Sequence, residues 1–286
     1  MLEQYLELTQ LDRLVDRADY AVIGPTDART RVVSATRAPY WAVCQVQRDF
    51  GDGKFSGCSG FLIAPNIVLT AGHCVFSAAR ALLKKRATPS RIQIIAGRNG
   101  TATPFGVRWA KRWYFPSAFS VRRDRESDYG IIVLDQPLAN AHQFISPFAP
   151  TDLQLRSIRS SRLLHIAGYP GDKPRGTMWE HAERLDRFTR RSIFYSVDTC
   201  PGHSGSPVWT VPQRNSAARV IGIHVAGPTP HTKGAWGCRP GVPVAPAGNF
   251  NRGIRMNATI LAQIQNVKSH TRDPSLVEVK AKPGRK

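Results

Sequence analysis

The sequence predicts an all-β protein that carries an α-helix near its C-terminal end. Beyond residue 30 the apolar runs are short and are separated by turn residues, which is typical of a β-barrel or β-sandwich protein. The 286 residues include 23 Gly and 21 Pro, which is a turn-rich composition. This length suits about two folding units, or one large all-β unit of the two-barrel kind.

The predicted strands follow one another along the chain in the segments YWAVCQV, GFLIA, NIVLTAG, RIQIIAG, YGIIVLD, RLLHIAGYPGD, SIFYSVD, SPVWTV and RVIGIHVAG. The stretch QPLANAHQFISPFAPTDLQ has no clear strand period, so we expect it to connect two β units. Near the end, Asn257 can cap a helix with one apolar face, formed by Ile260, Leu261, Ile264 and Val267.

These patterns divide the chain into four parts. Residues 1–20 are an N-terminal extension in which apolar side chains recur near helical spacing, which favours a short amphipathic helix. Residues 21–140 and 141–269 are the two expected β units, and the second includes the C-terminal helix. Residues 270–286 are polar and basic, and we expect a frayed tail there.

The composition excludes disorder throughout, because 42% of the residues are hydrophobic and 21% are charged. The formal net charge is +20, from 40 basic and 20 acidic residues, which favours acidic partners. The basic residues are scattered along the chain, so we expect no nucleic-acid partner. No stretch approaches the ~18 apolar residues of a membrane-spanning helix, so we expect no membrane partner.

Five cysteines are present, and they lack the C-x-x-C pairs of a structural zinc site: Cys44, Cys58, Cys74, Cys200 and Cys238. Disulfides are the better interpretation if the compartment is oxidising, and the odd number leaves one thiol unpaired. The histidines show no metal-binding spacing, so we expect neither a metal nor a cofactor. The opening residues lack the basic segment and apolar core of a signal peptide.

Three segments place a reactive side chain beside small residues. His73 ends the segment CSGFLIAPNIVLTAGHC, where a disulfide between the flanking cysteines would clamp the loop that carries the imidazole. Asp128 directly precedes a buried-looking strand in ESDYGIIVLDQPL, a position where Asp is often only a turn former. Ser204 lies among glycines in DTCPGHSGSPVW, which is the most specific of the three.

Together these residues predict nucleophilic hydrolysis. A nucleophilic serine needs N–H donors for the developing oxyanion, and Gly202 permits the tight turn that would aim them. Ser204 would attack, and His73 would take its proton and later return it to the leaving amine. Asp128 would hold the imidazole tautomer and stabilise the imidazolium.

Eight segments occur in the order AVIGPTDARTRV, TAGHC, GRNGT, SDYG, GYPGDKPRGTMWE, DTCPGHSGSP, VIGIH and NFNRGIR. With them the chain resembles the chymotrypsin-like serine endopeptidases, and most closely the bacterial glutamyl endopeptidases of the staphylococcal V8 type. The resemblance runs from about Ala21 to Ser269. It implies two six-stranded antiparallel β-barrels, with His73 and Asp128 on the first, Ser204 on the second and the substrate in the cleft between them.

The resemblance also implies the roles of neighbouring residues. It pairs Cys58 with Cys74 and Cys200 with Cys238, which leaves Cys44 free. The N–H groups of Gly202 and Ser204 would form the oxyanion hole. The edge strand along which a substrate pairs by β-addition would be formed by Val225, Ala226 and Gly227.

Residues of the expected specificity pocket point to two different substrates. His224 and Thr199 match the positions that contact the acidic side chain in glutamyl endopeptidases, and a histidine donor with a hydroxyl suits a carboxylate. Asp198 aligns instead with the acidic pocket floor of trypsin-type enzymes, which favours Arg or Lys. Because the resemblance over the whole chain is to glutamyl enzymes, we expect cleavage after Glu or Asp, with cleavage after Arg or Lys as the alternative.

Activation and location are also expectations from the resemblance. Trypsin-type zymogens use an Asp directly before the nucleophile, and here His203 takes that place, so that switch is absent. Residues 1–20 are predicted to be a propeptide whose removal completes the pocket, or alternatively a helix that packs on the barrel. We expect an extracellular monomer that acts on acidic proteins or peptides. The alternative function is a catalytically silent homologue that binds acidic partners or nucleic acid.

Overall fold

A computed structural model describes residues 23–24, 26–138, 144–212, 216–227, 238, 248 and 250–281. The helix expected in residues 1–20 and the last residues of the expected tail lie outside this part of the chain. Within it, no helix combines the length and the apolar composition needed to cross a membrane.

The described chain consists mainly of strands. In chain order they are β1 (Thr30–Arg31), β2 (Val43–Asp49), β3 (Phe55–Ala64), β4 (Ile67–Thr70), β5 (Arg91–Ala96), β6 (Arg108–Pro116), β7 (Gly130–Leu134), β8 (Ser146–Pro147), β9 (Leu163–Gly168), β10 (Trp179–Phe188), β11 (Ser192–Tyr195), β12 (Pro207–Thr210), β13 (Arg219–Ala226), β14 (Asn251–Arg255) and β15 (Leu276–Lys280). The α-helices are α1 (Ala78–Leu82), α2 (Ser117–Arg122), α3 (Asp152–Ser161) and α4 (Ala258–Lys268). Short 3₁₀ turns cover Tyr40–Ala42, Gly72–Cys74 and Arg125–Ser127.

Two closed barrels are formed by these strands. The first has the order β6, β5, β2, β3, β4, β7 and closes where β6 pairs with β7. The second has the order β10, β11, β14, β13, β12, β9 and closes where β10 pairs with β9. Two closed six-stranded antiparallel barrels followed by helix α4 confirm the predicted fold class.

The apolar core continues from one barrel into the other. Buried side chains of the first barrel, such as Phe61 and Ile132, belong to the same cluster as Ile223 and Val225 of β13. A smaller cluster, which includes Leu164 and Ile193, fills the second barrel. Because the larger cluster contains side chains of both barrels, the loops at their junction rest on a common packed base.

The C-terminal segment differs from the expected frayed tail. Strand β15 pairs with β6 in antiparallel register, with Val277 opposite Phe115 and Val279 opposite Trp113. Val277 and Val279 pack against the core of the first barrel. Residues 277–280, VEVK, alternate apolar and charged side chains, which is the strand period. The expectation of a tail came from composition alone.

Helix α3 lies at the end of the stretch expected to connect the two units. Thr151 accepts a hydrogen bond from the N–H of Gln154, and the Gln154 side chain accepts one from the N–H of Thr151. This capping box satisfies two N–H groups at the first turn and starts the helix.

Candidate active site

His73 and Asp128 meet at one end of the first barrel. Thr70 of β4 pairs with Gly130 of β7, so the chain leaving β4 and the chain entering β7 lie side by side. His73 Nδ1 is 3.0 Å from Asp128 Oδ2 and 3.2 Å from Oδ1. The backbone N–H of His73 also donates to Asp128 Oδ1 over 2.9 Å. Both side chains are buried, so this carboxylate fixes the ring and the backbone of the histidine.

The contact between His73 and Asp128 requires a glycine at position 72. A Cβ at Gly72 would lie 3.0 Å from Asp128 Oδ1, 3.0 Å from the backbone nitrogen of Tyr129 and 3.1 Å from a ring carbon of Phe119. These distances are tighter than ordinary van der Waals contact, so the absence of a side chain lets the carboxylate approach.

Ser204 lies in a turn between two glycines that adopt positive φ angles. Gly202 has φ 104° and Gly205 has φ 89°. A Cβ at Gly202 would lie 2.5 Å from the Tyr169 carbonyl oxygen, and one at Gly205 would lie 2.1 Å from the Ser59 carbonyl oxygen. Both positions therefore exclude any residue with a side chain.

Two backbone donors of this turn are available to a ligand. Within the part of the chain that the structure describes, the N–H groups of Gly202 and Ser204 donate to no protein acceptor. The neighbouring N–H of His203 donates to the Cys200 carbonyl oxygen over 3.0 Å, which fixes the turn. Such a pair of free donors beside a serine is the arrangement expected of an oxyanion hole.

Ser59 of β3, which no sequence motif indicated, joins the serine turn to the first barrel. Its N–H donates to the Ser204 carbonyl oxygen over 2.8 Å, and its hydroxyl donates to the Gly202 carbonyl oxygen over 2.7 Å. Cys74 Sγ, next to His73, lies 3.6 Å from the same Ser204 carbonyl oxygen. These contacts bring the three sequence-predicted reactive residues into one site.

Two disulfides frame the site. Cys58 is bonded to Cys74 and Cys200 to Cys238, while Cys44 is a buried free thiol whose pKa is raised by burial. The ligand atoms of Cys58, His73 and Cys74 lie within 4.8 Å of one another, a spacing that could hold a metal ion. Because the two sulfurs are bonded to each other, neither is the thiolate that a metal requires, and the disulfide serves as a clamp beside His73.

The carboxylate of Asp198 is buried and accepts hydrogen bonds from the backbone of the N-terminal segment. Its Oδ1 accepts a hydrogen bond from the Gly24 N–H and its Oδ2 accepts one from the Ala28 N–H, both over 2.8 Å. His181 Nδ1 accepts the N–H of Asp198 over 2.8 Å. The side chain is only 3% exposed. The trypsin-type alternative places this carboxylate on the floor of an acidic pocket, whereas here both of its oxygens hold the N-terminal segment.

His224 and Thr199 have polar atoms near the expected pocket. Thr199 Oγ1 is buried and lacks a hydrogen-bond partner in the described part of the chain. His224 Nδ1 lies 2.8 Å from the hydroxyl oxygen of Tyr195, a residue that the sequence analysis did not single out. Burial, followed by the positive groups of His203, His73 and Arg252, holds the pKa of His224 well below its usual range.

The predicted substrate edge follows His224 directly. Val225 and Ala226 end strand β13, and its pairing with β14 shifts register between His224 and Ala226. Gly205 is tied to this strand, because its N–H donates to the His224 carbonyl oxygen over 2.7 Å. The edge strand and the serine turn are therefore directly hydrogen-bonded, and Gly227, which is buried, follows the end of the strand.

His203 occupies a closed environment beside the nucleophile. Its Nδ1 accepts the Cys200 N–H over 3.0 Å, and its side chain is buried. Burial, with the positive charge of Arg29, lowers the pKa of His203 to about 3. The imidazole is therefore neutral at ordinary pH and offers no counterpart to a zymogen carboxylate.

The sequence matches a known protein family over most of its length. The model of the trypsin family matches residues 29–245. A glutamyl endopeptidase of Bacillus licheniformis is 31% identical over 252 residues, which are 87% of this chain and 69% of the relative. An extracellular metalloprotease of Bacillus subtilis is 30% identical over 227 residues, which are 79% of this chain and 69% of the relative.

A solved structure, described as a Glu endopeptidase in complex with MPD, agrees with this fold. It has a TM-score of 0.68 and 26% identity, and the match covers 87% of this chain and 100% of the other. The family match and the relatives confirm the resemblance inferred from the sequence motifs. The chain belongs to the trypsin family and is a serine endopeptidase.

Proposed function

We propose that this endopeptidase hydrolyses peptide bonds through Ser204, His73 and Asp128. Ser204 Oγ attacks the carbonyl carbon of the scissile bond, and His73 Nε2 takes the hydroxyl proton and delivers it to the leaving amine. Water then hydrolyses the acyl-enzyme with the same histidine as base. The contact of His73 Nδ1 with Asp128 Oδ2 at 3.0 Å supports this, because an anionic partner keeps the proton on Nδ1 and stabilises the imidazolium.

The oxyanion that forms in each step would be held by the N–H groups of Gly202 and Ser204. Both groups lack a protein acceptor within the described ranges, and the Ser59 contacts hold their loop in place. Donors that are oriented before the reaction need no reorganisation when the negative charge develops.

We propose that the enzyme prefers to cleave after Glu, or after Asp. The observation that carries this preference is that both oxygens of Asp198 accept backbone N–H groups. Both oxygens of this carboxylate are engaged by main-chain donors of the N-terminal segment, so neither is left to form an ion pair with an Arg or Lys side chain of a substrate. A neutral histidine, His224, and a buried hydroxyl without a partner, on Thr199, remain to donate to a carboxylate.

The substrate backbone would pair with Val225, Ala226 and Gly227 as an added β-strand. This mode uses the main chain of the edge and leaves the choice of side chain to the pocket. The +20 net charge would favour the encounter with acidic proteins, an effect that weakens as salt increases.

We also propose that residues 1–20 are a propeptide. Ile23 packs against the disulfide between Cys200 and Cys238, and the Gly24 N–H donates a hydrogen bond to Asp198. The segment after residue 20 is therefore anchored next to Thr199, one of the proposed specificity residues. Removal of residues 1–20 would complete the pocket at this anchor. Fully active enzyme that still carries Met1, as seen by intact mass, would exclude this role.

Two disulfides in the described chain support an oxidising location, and we propose an extracellular monomer made of barrels at residues 21–140 and 141–269. Its substrates, as for any endopeptidase, are proteins or peptides. Gel filtration with light scattering would measure the mass in solution, and a dimeric mass would contradict the monomer.

The proposed function is tested by digestion of a denatured protein of known sequence. Every new C-terminus is mapped by mass spectrometry, with Ser204→Ala as the control for contaminating protease. We expect cleavage after Glu that is lost in the variant by several orders of magnitude. Cleavage after Arg or Lys would refute the assignment of Asp198, and cleavage that persists in Ser204→Ala would refute the assignment of the nucleophile.

A further inference from the structure

A buried tyrosine contacts the histidine that we assign to the specificity pocket. The hydroxyl oxygen of Tyr195 lies 2.8 Å from Nδ1 of His224, and the tyrosine is fully buried. Tyr195 ends β11, which pairs with β14, and β14 pairs with the strand that carries His224. Three neighbouring strands of the second barrel therefore bring the two side chains together.

The direction of this hydrogen bond follows from the surroundings of the phenol. Burial raises the pKa of Tyr195 well above its usual value, so the hydroxyl keeps its hydrogen. Among the described residues, His224 Nδ1 is the one partner of this hydroxyl. If the phenol accepted from Nδ1–H instead, its own hydrogen would be buried without an acceptor, which is costly. Tyr195 is therefore the donor and Nδ1 the acceptor.

The direction of this hydrogen bond also decides which ring nitrogen of the neutral His224 carries the proton. The buried His224 carries a single proton, because its pKa is held far below the usual range. Since Nδ1 accepts from Tyr195, that proton lies on Nε2. Within the part of the chain that the structure describes, Nε2 has no protein acceptor, so this N–H is left for a ligand.

We propose that Tyr195 is a positioning residue that fixes the Nε2–H tautomer of His224, so that the imidazole meets the substrate carboxylate as a hydrogen-bond donor. This inference rests on the proposed preference for Glu. In the other tautomer, Nε2 would present a lone pair to the carboxylate, and two acceptors would face each other. Tyr195 thus acts through His224 without touching the substrate.

A glycine on the strand between the two residues supports the same arrangement. A Cβ at Gly253 would lie 3.1 Å from the Tyr195 hydroxyl oxygen and 3.1 Å from the Ile223 carbonyl oxygen. The missing side chain leaves room for the phenol to reach His224. Gly253→Ala is therefore a second variant, because it retains the hydroxyl and displaces it.

The activity test compares Tyr195→Phe with Tyr40→Phe, a matched control. The Tyr40 hydroxyl also donates a hydrogen bond to a partly buried side chain, the carboxylate of Glu180, but Tyr40 does not contact His224. Matched peptides with Glu or the isosteric Gln before the scissile bond are compared by kcat/KM. We expect the ratio of Glu to Gln to fall roughly five- to tenfold in Tyr195→Phe and in Gly253→Ala, and to stay unchanged in the control. An unchanged ratio in the folded Tyr195→Phe enzyme would overturn the proposal.

The tautomer itself is read by ¹⁵N NMR of the imidazoles, with His224→Gln to assign the signals. We expect Nδ1 of His224 to have a pyridine-type shift and Nε2 a pyrrole-type shift in the parent enzyme, and a mixture of both forms in Tyr195→Phe. A proton on Nδ1 in the parent enzyme would overturn the proposal. A parent enzyme that did not prefer Glu would contradict the proposed function. The NMR measurement does not depend on that preference, and it decides the tautomer of His224 by itself.

Discussion

The hydroxyl of Ser59, on the first barrel, donates to the carbonyl oxygen of Gly202, on the second barrel, over 2.7 Å. The same hydroxyl oxygen accepts the N–H of Tyr169 over 2.9 Å, and the N–H of Ser59 holds the Ser204 carbonyl oxygen at 2.8 Å. Ser59 therefore sets the position of the serine turn relative to the barrel that carries His73 and Asp128.

Ser59→Ala should reduce turnover more than substrate binding. The change leaves the Gly202 carbonyl without its donor and the Tyr169 N–H without its acceptor, and both Ser59 and Tyr169 are buried. We expect a stability loss of about 1–3 kcal/mol and a fall in kcat of roughly tenfold with KM little changed. Steady-state kinetics and urea unfolding measure both. Ser160→Ala, at an exposed serine of α3, is the control, and an unaltered kcat in Ser59→Ala would contradict this role.

Asp198→Asn should loosen the N-terminal segment and leave the choice of residue before the scissile bond unchanged. An amide offers one acceptor oxygen, so one of the N–H groups of Gly24 and Ala28 loses its partner. We expect a loss of about 1.5–3 kcal/mol in unfolding free energy, since these bonds end on a charged group. The control is Asp186→Asn, at a surface ion pair. A switch in specificity, seen by mapping the cleavage sites, would show that the carboxylate does serve the pocket.

Local sequence motifs predicted the three reactive residues. They did not predict the roles of Ser59 and Asp198, because those roles depend on contacts between distant parts of the chain. His73, Asp128 and Ser204 each lie in a short segment with a nearby glycine, and such a segment can be found without knowledge of the fold. The partner of Ser59, Gly202, is 143 positions away, and the amide that Asp198 accepts from Gly24 is 174 positions away. Such contacts arise only when the barrels close.

The difference between local motifs and long-range contacts also explains why the sequence alone did not predict the hydrogen bonds of Asp198 or strand β15. An aligned position indicated where Asp198 lies, but the direction of its side chain is decided by the donors around it. The segment LVEVK contains a strand period, yet its stability as a strand depends on the edge left by residues 112–116 of β6, which lie beyond the pairing with β5. Sequence alone carries no record of that edge.

Gly72→Ala should lower activity by moving Asp128. The new Cβ would lie 3.0 Å from Asp128 Oδ1, so the carboxylate or the 3₁₀ turn must shift by a few tenths of an ångström. We expect kcat to fall on the order of tenfold, because the His73 ring loses its fixed orientation. Gly57→Ala is the control on the same barrel, since a Cβ there has nothing within 4 Å. Equal kcat values for the two variants would show that the contact of Gly72 with Asp128 does not limit catalysis.

The folded protein should lose stability in mild acid because of His203. The pKa of this histidine is about 3 in the folded chain against an ordinary value of 6.5, so between these pH values the unfolded chain binds a proton that the folded chain does not. Stability therefore falls as the pH decreases through this window, by about 1.4 kcal/mol per pH unit, and is independent of this group above it. His224 contributes with the same sign, because its pKa is also lowered.

Carboxylates change the free energy of unfolding in a separate, lower pH range, so the effect of His203 on stability can be measured by itself. The pKa values of Asp49 and Asp124 are lowered from 3.8, chiefly by hydrogen bonds that outweigh burial, so their contribution is lost only below about pH 4. Urea unfolding at pH 6.5 and pH 4.5 should show a smaller loss of stability in His203→Gln than in the parent chain, by about 2 kcal/mol. His270→Asn, at an exposed histidine, is the control. An equal loss in His203→Gln and the parent chain would mean that His203 takes up its proton without opening the fold.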